Sequence, residues 1–137
     1  MFAEFEQKAH EMAAAGESMT SQSLCGIYKK LNEDYFGPDT VIDPQIQYEW
    51  ERIPHFYTPF YVYQYATGFS AAIAISKKIF NGEPGILEGY KKFLSGGCSD
   101  TPIELLKLAG VDMSHTGPVE EALKFFEELL NEFEELA

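Results

Sequence analysis

The sequence predicts an all-α fold of about seven helices built around one long buried central helix, about residues 59–80, in a single helical domain over 1–137. Three observations carry that reading. Apolar residues recur at helical spacing in one segment after another, as at Phe2, Phe5, Ala9 and Met12. Cap-then-proline pairs such as Asp43-Pro44 and Thr58-Pro59 open segments, because proline's fixed φ suits a first turn and its missing N–H would be unpaired there anyway. No stretch of strict apolar and polar alternation is flanked by hairpin turns.

In order, Met1–Ala15 is the first helix, and Gly16 ends it. Ser18 and Thr20 offer caps for a second, about Ser21–Tyr35, whose stripe is Leu24, Ile27, Tyr28 and Leu31. Phe36-Gly37-Pro38-Asp39 breaks the chain by turn chemistry, and Asp43-Pro44 starts a short helix to about Trp50. Ile53-Pro54 leaves the helix, since a residue before proline is pushed out of the α region. Thr58 caps and Pro59 begins the central helix, which is apolar on nearly every side and is therefore expected to be covered on every side. Asn81-Gly82-Glu83-Pro84-Gly85 turns the chain into a helix marked by Ile86, Leu87, Tyr90 and Phe93, closed by Ser95-Gly96-Gly97. Ser99 or Asp100 caps another with Pro102 in its first turn, and Gly110 ends it. Thr116-Gly117-Pro118 starts the last helix, with Val119, Leu123, Phe126, Leu130 and Phe133 as its stripe.

Composition excludes several function classes. A formal charge of −12 argues against nucleic acid and anionic membranes, which need clustered Lys and Arg. Much of the negative charge sits on the last helix, where it reads as a solvated face. Tyr61, Gln64, Tyr65, Thr67 and Ser70 interrupt the apolar run of the central helix, so no membrane span is expected. Cys25 and Cys98 are far apart and lack CxxC spacing, which signals neither a zinc cage nor a disulfide framework. The N-terminus lacks a basic n-region and apolar h-region, so a reducing cytoplasm is the expected compartment. Its first helix begins uncapped and directly on an apolar face, which suggests a fragment of something longer.

Chemistry concentrates in Arg52–Ile79, RIPHFYTPFYVYQYATGFSAAIAISKKI, where His55, Tyr57, Tyr61, Tyr63 and Tyr65 stand beside Pro54 and Pro59. A polar, donor-rich loop thus leads into an apolar helix. The bland reading is that the tyrosine rings pack a core and hydrogen-bond backbone. Gly96-Gly97 lets a peptide backbone approach closely, and a helix end with a turn explains the pair equally well. His10 and His115 read as surface or capping residues, and Cys98 as a small residue without a base placed beside it.

That string, followed by YKKFLSGGCSDTPIELLKLAGVDM, resembles the C-terminal region of oligoendopeptidase F, one of the thimet-oligopeptidase-like zinc metallopeptidases. MFAEFEQKAHE, the YFGPD turn and the PVEEALKFFEELLNEFEEL tail fit the same pattern, so the resemblance covers essentially the whole chain. It implies a largely α-helical peptidase that cleaves short peptides in a deep channel. Its zinc sits on a helix carrying HExxH, whose two His face the metal together while the Glu acts on the bound water. This chain has no HExxH: His10, His55 and His115 are its only histidines. The resemblance places the zinc ligands upstream, so no metal or other cofactor is expected in this chain, and the zinc belongs to the parent enzyme.

The resemblance assigns the matching part a share in the rest of the mechanism. Attack on a peptide carbonyl develops an oxyanion, which held donors can stabilise by ~3–4 kcal/mol each. Carried over, His55, Tyr57 and Tyr63 are the expected transition-state and substrate-stabilising residues; Tyr61, Tyr65, Gly96 and Gly97 are the expected substrate-binding ones. His55 and Tyr57 also precede the expected helix N-terminus at Thr58-Pro59, where N–H groups and the dipole favour negative charge. Expected partners are short peptides, the missing N-terminal half of the peptidase, and a second copy through exposed apolar surface. The alternative is a free-standing, non-catalytic helical module that binds peptides or a protein. A new metal site built from His55 and acidic residues has no support in the spacing.

Overall fold

The computed structural model describes residues 1–136, and every regular element among them is helical. The chain divides into two compact units, Met1–Gln64 and Tyr65 onward.

The first unit contains α1 (Phe2–Ala14), α2 (Ser21–Phe36) and two 3-10 segments, Pro44–Arg52 and Pro54–Tyr57. The start of α2 follows from a reciprocal cap: the Thr20 side chain accepts from the Ser23 N–H while the Ser23 side chain accepts from the Thr20 N–H. The core is Phe5, Tyr28 and Leu31, walled by Leu24, Ile27, Ile46, Trp50 and Phe56. Phe5 meets Tyr28 edge-on with ring centroids 5.1 Å apart and Phe56 at 5.0 Å. The Trp50 indole N–H points at the buried Cys25 sulfur, 3.4 Å away. Proline and the Asp43 side chain, which accepts from the Gln45 N–H at 2.8 Å, start the Pro44–Arg52 segment as expected. It winds as a 3-10 helix.

Tyr28 is fully buried, and its hydroxyl donates to Glu49 Oε2 at 2.7 Å. Burial and the adjacent Glu49 push its phenol far above the usual range of about 10. The folded chain therefore keeps a proton that the unfolded chain releases, and stability is lost as pH rises past about 10. Tyr28→Phe is expected to flatten that alkaline limb in denaturation followed against pH, at a cost of about 1 kcal/mol near neutrality for the lost hydrogen bond.

The second unit is formed by α3 (Tyr63–Phe80) from Tyr65 on, α4 (Ile86–Ser95), α5 (Pro102–Leu108) and α6 (Gly117–Leu136). Its core is Ala71, Ala74 and Ile75 of α3 with Ala109 and Val111, packed by Ile79, Tyr90, Phe93 and Leu106. Alanines at the centre of α3 leave no side-chain bulk to hold neighbours apart. Gly89 shows how close α4 and α5 come: a Cβ there would lie 2.0 Å from the Leu108 carbonyl oxygen. Gly89→Ala is expected to destabilise by roughly 1–3 kcal/mol through overpacking against backbone, read as a lower urea midpoint with an unchanged slope.

Each of the seven expected helices has a counterpart, with Pro54–Tyr57 an additional single turn. Three details differ. The central helix begins at Tyr63, not at Pro59, because Phe60 takes a φ of 56°, outside the right-handed helix. It is covered on one face only, with Phe69 and Phe80 exposed. The cap of α5 is Thr101, whose side chain accepts from the Glu104 N–H.

Candidate functional site

The residues expected to carry chemistry in the first unit lie on the segment that links its aromatic core to α3. Ile53 is buried and Phe56 packs on Phe5, which fixes the Pro54–Tyr57 turn between two anchors. His55 and Tyr57 sit on that turn. The His55 imidazole stacks on the Tyr61 ring, centroids 5.6 Å apart and planes 28° from parallel. Tyr57 is 71% exposed, and its hydroxyl donates to the Glu51 carbonyl at 2.9 Å. That bond holds a phenol at the surface without enclosing it.

Between Tyr57 and Tyr61 the chain turns at Phe60. Its left-handed φ is unfavourable for a residue with a Cβ, and such conformations persist where surroundings over-determine them. Here the surroundings are α1. Glu6 is 4% exposed, and its Oε1 accepts the Phe60 N–H at 2.6 Å. One turn further along α1 the His10 ring meets the Phe60 ring edge-on, 4.3 Å between centroids. The loop is clamped by a buried acceptor and an aromatic contact from the same helix.

Tyr63 opens α3, half exposed, and lines a cavity of about 580 Å³ together with Glu4, Glu6, Gln7, Tyr35 and Phe60. At its edge the Tyr35 hydroxyl donates to Glu4 Oε2 at 3.0 Å. Lys8 and that hydroxyl hold the Glu4 carboxyl below its ordinary range, and Glu4 raises the Tyr35 phenol. The first unit thus brings His55, Tyr57, Tyr61 and Tyr63 onto one short clamped segment.

Tyr65 and the two glycines belong to the second unit. Tyr65 is exposed on α3. Gly96 is the C-cap of α4, and a Cβ there would lie 2.9 Å from Leu105 Cδ2. Gly97, at φ 55°, has open space where a Cβ would stand and lines an apolar cleft of about 790 Å³ with Ala71, Ile75, Phe93, Cys98 and Leu105. The helix end expected at the pair is found at Gly96.

With α3 starting at Tyr63, its N-terminal donors lie after the tyrosine loop and not beside Thr58-Pro59. His115 is exposed, and its Nδ1 accepts from the Gly117 N–H at the start of α6, a capping contact. His10 is the histidine read differently from sequence: half-buried, it supports the loop. Glu6 was not singled out at all. The available signal was a carboxyl beside the Phe2, Phe5, Ala9 stripe of an amphipathic helix. Among the described residues no three His, Cys, Asp or Glu side chains are grouped so that they could hold a metal ion. No described helix is long and apolar enough to cross a membrane.

The model of peptidase family M3 matches residues 1–125. The chain is 53% identical over 137 residues to Oligopeptidase PepF of Bacillus subtilis, covering 99% of this chain and 20% of that protein. It is 49% identical over 135 residues to the chromosomal Oligoendopeptidase F of Lactococcus lactis subsp. cremoris, covering 98% of this chain and 22% of that one. The crystal structure of oligoendopeptidase-F from Enterococcus faecium superposes with a TM-score of 0.88 at 52% identity, over 98% of this chain and 26% of that chain. The chain spans about a fifth of the length of these curated relatives.

Proposed function

The chain belongs to peptidase family M3, and from that premise we propose that it serves as the C-terminal part of an oligoendopeptidase F-type zinc peptidase hydrolysing short peptides in the cytoplasm. In this reading the zinc and its water-activating glutamate come from the upstream part, and the chain contributes donors. His55 and the tyrosines at 57 and 63 stabilise charge developing on the scissile carbonyl oxygen. Tyr61 orients the imidazole and, with Tyr65, Gly96 and Gly97, binds the peptide. When bound, zinc would supply Lewis-acid polarisation and a nucleophilic water; no side chain here takes over that task.

The observation that carries the reading is the clamped loop. An imidazole stacked on Tyr61, on a segment whose next turn is held by Glu6, has its ring oriented before substrate arrives, which electrostatic stabilisation requires; the Tyr57 hydroxyl would have to exchange the Glu51 carbonyl for the substrate oxygen. A chain holding only these parts is expected to be inactive alone. The assay is hydrolysis of an internally quenched oligopeptide by the purified chain with and without added zinc. No turnover is expected. Zinc-dependent turnover abolished by His55→Ala would mean that this chain assembles its own metal site, and the division of labour proposed here would be wrong.

A further inference from the structure

Every local signal for a helix start at Pro59 is in place, and one residue stands in its way. Thr58 has φ −120° and ψ 105°, the extended backbone of an N-cap, and Pro59 follows with a ring that suits a first turn. Four residues later α3 runs on from Tyr63. Between them Phe60 holds φ 56°, and the Tyr61 N–H closes a turn on the Thr58 carbonyl at 3.3 Å. A turn with proline second and a positive φ third ordinarily has glycine in that third place. Phe60 occupies it against the preference of its own Cβ.

What keeps Phe60 there comes from α1. The buried Glu6 carboxylate accepts its N–H at 2.6 Å, and the His10 ring meets its ring at 4.3 Å. A hydrogen bond to a carboxylate and left-handed backbone at a non-glycine residue have free energies of the same order and opposite sign. The turn therefore depends on the clamp. Without it, Phe60 can rotate into right-handed space, residues 59–62 can join α3, and the Val62 and Tyr63 N–H groups can bond the Thr58 and Pro59 carbonyls.

We propose that residues 58–62 form a two-state helix start latched by Glu6. While the carboxylate holds the Phe60 N–H, the segment is a turn and α3 begins at Tyr63; once it lets go, α3 gains one turn and begins at Pro59. The two states differ at the candidate site. In the turn Tyr61 stacks on the His55 imidazole at 5.6 Å. In the helix Tyr61 stands one turn before Tyr65 on a shared face and leaves that stack. Resting on the peptidase reading, the turn presents the oriented imidazole and the helix withholds it.

The test is NMR of the full chain beside Glu6→Ala, Glu6→Gln, and Glu6→Ala combined with Phe60→Gly. Glu6→Ala is expected to move the Cα shifts of residues 59–62 to helical values and to give sequential amide contacts from Phe60 to Tyr63. Glu6→Gln, which keeps a neutral acceptor, is expected to move them a smaller distance in the same direction, and this decides the matter if Glu6→Ala does not fold. Adding Phe60→Gly to Glu6→Ala is expected to restore the turn, because glycine takes a positive φ freely and is a poor helix former. Random-coil shifts over residues 58–62 in Glu6→Ala, or an unchanged turn, would overturn the proposal. So would Glu6→Gln shifts that move away from helical values. With this chain in place of the aligned region of the Bacillus subtilis oligopeptidase, Glu6→Ala is expected to lower kcat at least about tenfold and the added Phe60→Gly to recover most of that loss. Helical shifts with kcat unchanged would overturn the catalytic consequence and leave the two-state start standing.

Discussion

His55→Ala is expected to lower kcat for peptide hydrolysis by about 10²–10³ when this chain replaces the aligned region of the Bacillus subtilis oligopeptidase, with zinc content unchanged and KM moved much less. The argument is one of timing. A donor that strengthens its bond only as charge develops on the carbonyl oxygen acts on the transition state and leaves substrate binding nearly alone. An imidazole stacked on Tyr61 is already oriented, so little reorganisation opposes it. Tyr57→Phe removes one hydroxyl and keeps the ring. A similar fall in kcat would give Tyr57 the same role, whereas a rise in KM alone would make it a peptide contact.

Glu6→Ala carries the second large effect. It strips the buried carboxylate acceptor from the Phe60 N–H and unclamps a residue held in left-handed backbone. A hydrogen bond to a charged acceptor is worth about 1.5–3 kcal/mol, and its loss from a chain of this size lowers Tm by roughly 5–10 °C. Glu6→Gln keeps an amide oxygen in the same place and should lose distinctly less. Hydrogen exchange at the Phe60 amide separates the two variants directly: fast in Glu6→Ala, protected in Glu6→Gln. In the chimera Glu6→Ala should also reduce kcat through misplacement of His55 and Tyr61 without loss of zinc.

Much of the fold was legible because helix periodicity and end signals are local. Thr20, Asp43 with Pro44, and Thr116 to Pro118 sit at or beside observed helix starts. The start of α3 was misplaced for a physical reason: Thr58-Pro59 is a sound local signal, and a contact from fifty-four residues upstream overrides it at Phe60. No window along the chain contains that information. Glu6 was illegible for the same reason, since a carboxyl beside an apolar stripe reads as a boundary residue until its partner is seen. The stripe of α6 was legible, but Leu123, Phe126 and Phe133 on it are exposed while Ala122 beside it is buried, which depends on how the helix is rotated against its unit.

The most direct measurement is peptide hydrolysis by the unmutated chimera. If this chain supplies the donor half of an oligoendopeptidase F-type site, the chimera should retain zinc-dependent cleavage of short peptides within about tenfold of the parent, a difference of ~1.4 kcal/mol in the barrier. A chimera that folds, holds its zinc and cleaves nothing would contradict the account.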